Sequence, residues 1–189
     1  MKARENPFRS ECVEALPYRA TGFHWKTLED RLAAAGGRGA IVGPQGHGKT
    51  TLLLEWKERC EPTHSLGIKL AEGQLSLTRE QKHEVKTRNC IFLDGAEQLA
   101  WWGWRNFLWC SRNARRIVIT THRPGLLPTL FVCRTDPHLL NELVAELSGE
   151  LMASPTLWAS HHGNLRLAFR ELYDTCSDSQ YKTRCPIRN

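Results

Sequence analysis

The stretch "GAIVGPQGHGKTTLLLEW", residues 39–56, decides the fold. Ala40 to Val42 form a brief apolar run of the kind that makes a buried strand, and "TTLLLEW" opens a helix. Between them Gly43 to Thr50 fit G-x-x-x-x-G-K-[ST] without a mismatch, in the strand-then-helix context that gives this motif its meaning. Gly43, Gly46 and Gly48 let the backbone bend so that successive N–H groups point at phosphate oxygens. The helix that follows adds its positive N-terminal end. Lys49 supplies a cation for the β- and γ-phosphates, and the Thr50 hydroxyl a ligand for Mg²⁺. The expected nucleotide-binding set is therefore Gly43, Pro44, Gln45, Gly46, His47, Gly48, Lys49, Thr50 and Thr51. His47 occupies a variable position and reads as a solvent-facing spacer.

Outward from this loop, strands and helices alternate. "HWKTLEDRLAAAGG" places Trp25, Leu28, Leu32 and Ala33 on one helical face, and glycines end it. "SLGIKL" reads as a strand, and "SLTREQKHEV" as a polar helix with a Ser or Thr cap. "NCIFLD", "RIVITT" and "TLFVCRT" are strands, the last two rich in β-branched residues. Such alternation implies an α/β fold, a parallel sheet of about five strands with helices on both faces. After Thr135 the pattern turns wholly helical. Leu139, Leu140, Leu143, Val144 and Leu147 share one face; Leu165, Ala168, Phe169, Leu172 and Tyr173 share another. The expected division is a nucleotide-binding core with an N-terminal extension over 1–135, a small helical lid over 136–174, and a disordered polar tail over 175–189.

The chain of 189 residues suits one large domain or a domain with a small appendage, and 41% hydrophobic residues suffice for a core. No apolar run reaches the roughly 18 residues of a membrane span. The N-terminus carries charges throughout and lacks the apolar block of a secretory signal. The seven cysteines are scattered and odd in number, with no metal-ligand spacing, which points to reduced thiols and a cytoplasmic location. The net charge is +6. From Gln98 to Thr135 there is no acid, yet Arg105, Arg112, Arg115, Arg116, Arg123 and Arg134 fall there. Such an excess suits phosphates, on a nucleotide or a nucleic acid, or is simply a solvated basic face.

"CIFLDGAEQL", residues 90–99, completes the loop's chemistry. The apolar run delivers Asp94 to a strand end, where it can hold the Mg²⁺ that Thr50 also binds. "RIVITTHRPG" would end beside the γ-phosphate, making Thr120, Thr121 and His122 candidates to sense it. A hydroxyl there can orient the attacking water. Equally, each could be a strand-end turn residue.

Together "GRGAIVGPQGHGKTTLLLEW", "NCIFLDGAEQL", "RRIVITTHRPG" and "HHGNLRLAFRELYD" resemble the AAA+/STAND group of P-loop ATPases from about Phe23 to Asp174. The first two lines correspond to its Walker A and Walker B motifs. The resemblance implies ATP and Mg²⁺ as ligands. It implies a sensor role for the "TTHR" stretch, with His122 where the STAND branch commonly has Arg and Arg123 one position later. It implies that Arg166, in "GNLR", contacts the nucleotide from the lid. Two departures stand out. The residue after the Mg²⁺ aspartate is usually acidic in this group, and here it is Gly95. If the chain turns at Gly95, Glu97 points back toward the phosphates as a general base. If a helix starts there, Glu97 is an N-terminal-turn acid favoured by the helix dipole. The link "HRPGLLP" also lacks room for the helix and arginine finger of ring-forming relatives.

Four of the seven tryptophans fall in "WWGWRNFLW". Trp101, Trp104 and Leu108 line one helical face, and Trp102 and Trp109 lie near another. One face should pack on the sheet, and core packing alone is the first account of the cluster; the alternative is that the remaining tryptophans of the Trp101–Trp109 helix are a candidate docking site for a protein partner, and nothing else in the sequence supports base stacking beside the arginines. The expected function is that of an ATP-binding protein, an ATPase of slow turnover that switches partner contacts with nucleotide state. The alternatives are a non-hydrolysing nucleotide-gated module for DNA or protein, and a small-molecule kinase.

Overall fold

The computed structural model describes residues 6–20, 22–149 and 153–177. By its contacts the chain divides into two compact units.

The larger unit, Gly22–Pro44 with Lys49–Cys133, is built on five parallel strands. These are β1 (Arg38–Val42), β2 (Ser65–Lys69), β3 (Cys90–Asp94), β4 (Arg116–Thr121) and β5 (Thr129–Val132). Their order across the sheet is β2-β3-β4-β1-β5. β4 therefore lies between the strand that feeds the phosphate loop and the strand that ends in Asp94, as the paired residues Val42–Thr121 and Leu93–Ile119 show. Its helices are α2 (Trp25–Ala34), α3 (Lys49–Glu58), α4 (Arg79–Thr87) and α5 (Trp101–Cys110).

The inner strands are largely apolar along their length because both sheet faces are covered there. Ile91 and Leu93 of β3 point to one side, where Val85 of α4 and Phe107 of α5 share a core with Ile117 and Ile119. Phe92 points to the other, against the fully buried Trp56 of α3 at 6.4 Å between ring centres. The Trp56 indole N–H donates to Glu29 Oε1 at 2.7 Å, so its one polar atom is satisfied. Thr78 caps α4 through a reciprocal pairing with Gln81. The α5 packing face is the stripe Gly103, Phe107 and Cys110. Trp104 and Leu108 are partly buried beside it, whereas Trp101, on the same face by spacing, is exposed.

The smaller unit holds residues up to Thr21, the loop tip Gln45–Gly48 and the chain from Arg134 onward. It contains α1 (Ser10–Glu14), α6 (Pro137–Ser148), α7 (Pro155–Ser160) and α8 (Leu165–Ser177). Phe8 and Leu16 pack with Leu140, Val144, Ala168 and Phe169 in one core, and the Asn6 side-chain amide donates to the Tyr173 carbonyl. Helix α8 runs to Ser177, and the expected tail beyond it lies outside the described residues. Among the described residues no helix is long and apolar enough to cross a membrane.

Candidate functional site

Parallel strands bring their C-terminal ends to one edge, and ligands of open α/β sheets bind there. At that edge β1 gives way to the Gly43–Thr50 loop, β3 ends at Asp94 and β4 ends at Thr120–Thr121. The Gly43 N–H donates to the Thr121 carbonyl at 3.2 Å, which fixes the loop's base on β4.

Gly46 and Gly48 have φ of +76° and +81°, a region that L side chains enter only at a cost of about 1–2 kcal/mol. The loop's curve therefore depends on them. Lys49, the first residue of α3, is buried and its Nζ donates to the Pro44 carbonyl at 2.7 Å, so its ammonium sits inside the curve of the loop. His47 Nδ1 lies 3.0 Å from the Gln45 carbonyl and is exposed to solvent on part of its surface. Thr51 is half-buried in the first turn of α3.

Thr50 and Asp94 meet. The Thr50 hydroxyl lies 3.1 Å from one Asp94 carboxylate oxygen and 3.0 Å from the other. Thr120 joins them: its hydroxyl donates to Asp94 Oδ1 at 2.6 Å and accepts the Gly95 N–H at 2.8 Å. Thr120 is 1% exposed, so its hydroxyl is committed to the carboxylate. Thr121 turns its hydroxyl onto the Arg123 carbonyl at 3.0 Å, and Arg123 is exposed.

Gly95 adopts φ +81°, a left-handed turn, and a single 3-10 turn follows over Ala96–Gln98. Both sequence readings of this segment are thus present together, a turn and a helix start. Glu97 is brought beside the end of β4, where its Oε1 lies 3.3 Å from His122 Nε2. Its other oxygen, Oε2, is buried without a hydrogen-bond partner among the described residues. His122 as the partner of Glu97 is not readable from spacing, because 97 and 122 lie on different elements.

Arg166 lies in the smaller unit, exposed in the first turn of α8. Asn164 caps that helix by accepting the Leu167 N–H, and the Leu165 N–H donates to the Gly46 carbonyl at 3.2 Å.

The arrangement is a loop of backbone donors, one buried ammonium, and a hydroxyl and carboxylate converging on a single point. By their chemistry, such backbone donors and an ammonium suit a phosphate, and the hydroxyl and carboxylate oxygens suit a hard cation. No family model and no curated protein matches the chain. Among solved structures, it is similar to the crystal structure of NtrX from Brucella abortus in complex with ATP. The TM-score is 0.50 at 14% identity, over 86% of this chain and 51% of that one. The chain has a P-loop NTPase-like fold. It spans about half the length of the NtrX chain, and at this identity the likeness concerns the P-loop NTPase-like fold alone.

Proposed function

We propose that this chain binds Mg·ATP, hydrolyses it slowly and uses nucleotide state to switch its contacts with a partner. The observation that carries the reading is the approach of the Thr50 hydroxyl to both oxygens of Asp94 beside the Lys49 ammonium in its loop.

Thr50 and Asp94 fit a magnesium ion by chemistry. Both offer oxygen, and among the described residues no cluster of three or more His, Cys, Asp or Glu exists to hold a softer metal. Mg²⁺ needs few protein ligands, because phosphates and water complete its shell. When bound, it would neutralise charge on the β- and γ-phosphates. Lys49 shares that task, and the Gly43–Gly48 amides orient the phosphate chain. Thr120 holds Asp94 in place. Glu97 is the residue to take a proton from water, at the Oε2 that lacks a partner, while His122 orients it through Oε1. Thr121 shapes the β4 turn, and Arg123 and Arg166 are proposed nucleotide contacts. The choice of adenine over guanine rests on the AAA+/STAND resemblance and on the absence of an [NT]KxD motif. The ATP in the NtrX crystal supports the same ligand. A cytoplasmic location is proposed from the scattered, odd-numbered cysteines of the sequence.

A second reading, a nucleotide-gated module without hydrolysis, is favoured by Gly95, which leaves the position after Asp94 without a carboxylate. Paired measurement of ATP affinity and phosphate release by the full chain separates the two. Binding with slow turnover supports the proposal, binding without turnover supports the second reading, and no ATP binding with or without Mg²⁺ sinks both.

A further inference from the structure

Helix α5 leaves its outer side bare. Trp101, Trp102 and Trp109 are 75%, 48% and 56% exposed. At 100° per residue, positions 101, 102, 105 and 109 fall within an arc of about 100°. Arg105, exposed, therefore shares the arc with the three indoles, and Arg112, exposed beyond the helix end, joins them through its approach to Trp109. An apolar patch of this kind marks an interaction surface.

The patch is also cationic at close range. The Arg112 guanidinium carbon lies 4.5 Å from the centre of the Trp109 ring and Lys86 Nζ lies 5.3 Å from it. On α4, Arg79 and Lys82 are spaced to share the side that carries Lys86. The acids of the adjoining segments are Glu72, Glu80, Glu84, Asp94 and Glu97, of which Asp94 accepts from Thr120 and Glu97 lies beside His122. Glu80 and Glu84 fall on other sides of α4 from Lys86 by helical spacing.

Charge complementarity calls for a polyanion, and the indoles call for flat apolar surfaces. Protein interfaces favour Trp and Arg but are depleted of Lys, whereas single-stranded nucleic-acid sites combine backbone-tracking cations with aromatic platforms for bases. A duplex keeps its bases stacked on one another and offers these rings nothing to stack on. We propose that the outer face of α5, with Trp101, Trp102 and Trp109 among Lys86, Arg105 and Arg112, binds single-stranded nucleic acid, with bases on the indoles and phosphates on the cations. This extends the switch reading by naming its partner, and the site itself uses no residue of the phosphate loop.

The test is fluorescence anisotropy of a labelled mixed-sequence single strand titrated with the full chain, with and without Mg·ATP. Wild type binds, with affinity that falls steeply as salt rises. Trp102→Ala and Trp109→Ala each weaken binding by roughly 5- to 150-fold, the usual effect of losing one stacked base. Arg105→Ala with Arg112→Ala lowers the slope of log K against log salt by about 1.4, or 0.7 per phosphate contact. Lys26→Ala, an exposed cation on another helix, leaves both unchanged. All these substitutions are of exposed side chains, so the fold survives them. Lys49→Ala loses ATP but keeps the oligonucleotide, which separates failure of this proposal from failure of the nucleotide reading. No binding by wild type, equal binding of a duplex, or binding indifferent to Trp102 and Trp109 overturns the proposal. So does Trp-dependent binding of an acidic polypeptide in place of the oligonucleotide, which would assign the face to a protein partner.

Discussion

The Thr50 hydroxyl sits within hydrogen-bond distance of both carboxylate oxygens of Asp94, at 3.1 and 3.0 Å. Two residues from different elements thus offer oxygen to one point. Asp94→Asn keeps the shape and one acceptor oxygen but removes the charge that a divalent cation needs. Calorimetry should find ATP affinity lowered by about tenfold or more with Mg²⁺ and little changed in EDTA, the charged contact being worth about 1.5–3 kcal/mol. Equal wild-type affinities with and without Mg²⁺ would remove this role from Asp94.

Lys49→Ala deletes the ammonium that the loop holds against the Pro44 carbonyl. The β- and γ-phosphates lose a charge-assisted partner, so ATP affinity should fall by about 10- to 100-fold. Titration of a fluorescent ATP analogue measures it. Affinity equal to wild type would mean that the loop does not cradle phosphates.

Thr120 bridges the Gly95 N–H and Asp94 Oδ1 at a site closed to solvent. Thr120→Val keeps the volume and removes the bridge, leaving the Gly95 donor unpaired. Urea unfolding should show a loss of about 1–3 kcal/mol. Thr120→Ser, which keeps the hydroxyl, should lose much less. A Thr120→Val variant as stable as wild type would mean that the bridge adds nothing to the fold.

Much of this was legible in the chain, and the reasons differ by element. The inner strands β1, β3 and β4 show because both faces of the sheet are buried there, so each is largely an apolar run, whereas the edge strands β2 and β5 are partly exposed. The loop shows because its glycines and Lys49 lie close together in sequence. The Thr120–Asp94 bridge does not show, since it depends on β4 lying beside β3 and is set by topology. Nor does the exposure of Trp101. Periodicity defines a face but not which face turns inward. Gly103 settles that: a Cβ there would lie 2.1 Å from the Leu75 carbonyl, so this side of α5 must meet the chain closely. Helix α1 is five residues long, too short for a periodic signal, and its place beside α8 comes from Phe8 and Leu16.

Gly95 holds φ +81° with its nearest neighbours 3.7 Å or more from an added Cβ. A side chain there finds space but not a comfortable backbone. Gly95→Ala should cost about 1–2 kcal/mol, read by urea unfolding. Gly95→Glu would place the acid of the resembling family after Asp94 at a similar cost. A gain in phosphate release by that variant would show that the missing acid limits wild-type turnover. A neutral Gly95→Ala would mean that the turn relaxes out of the left-handed region.

In the proposed reaction Glu97 is the base that splits the nucleotide. Its Oε1 faces His122 at 3.3 Å and its Oε2 is buried with no partner among the described residues, an expensive arrangement unless a further group docks there. Glu97→Gln keeps the size and removes the base. ATP binding should be retained while phosphate release falls by about 10²–10⁴-fold, the usual contribution of a general base. His122→Ala should reduce turnover less, because it removes the orienting partner and leaves the carboxylate. If Glu97 serves only the start of the short turn after Gly95, the variant should keep its turnover and lose about 0.3–1 kcal/mol of stability. Fast turnover in wild type that survives Glu97→Gln would assign the proton to another residue and remove Glu97 and His122 from the reaction together.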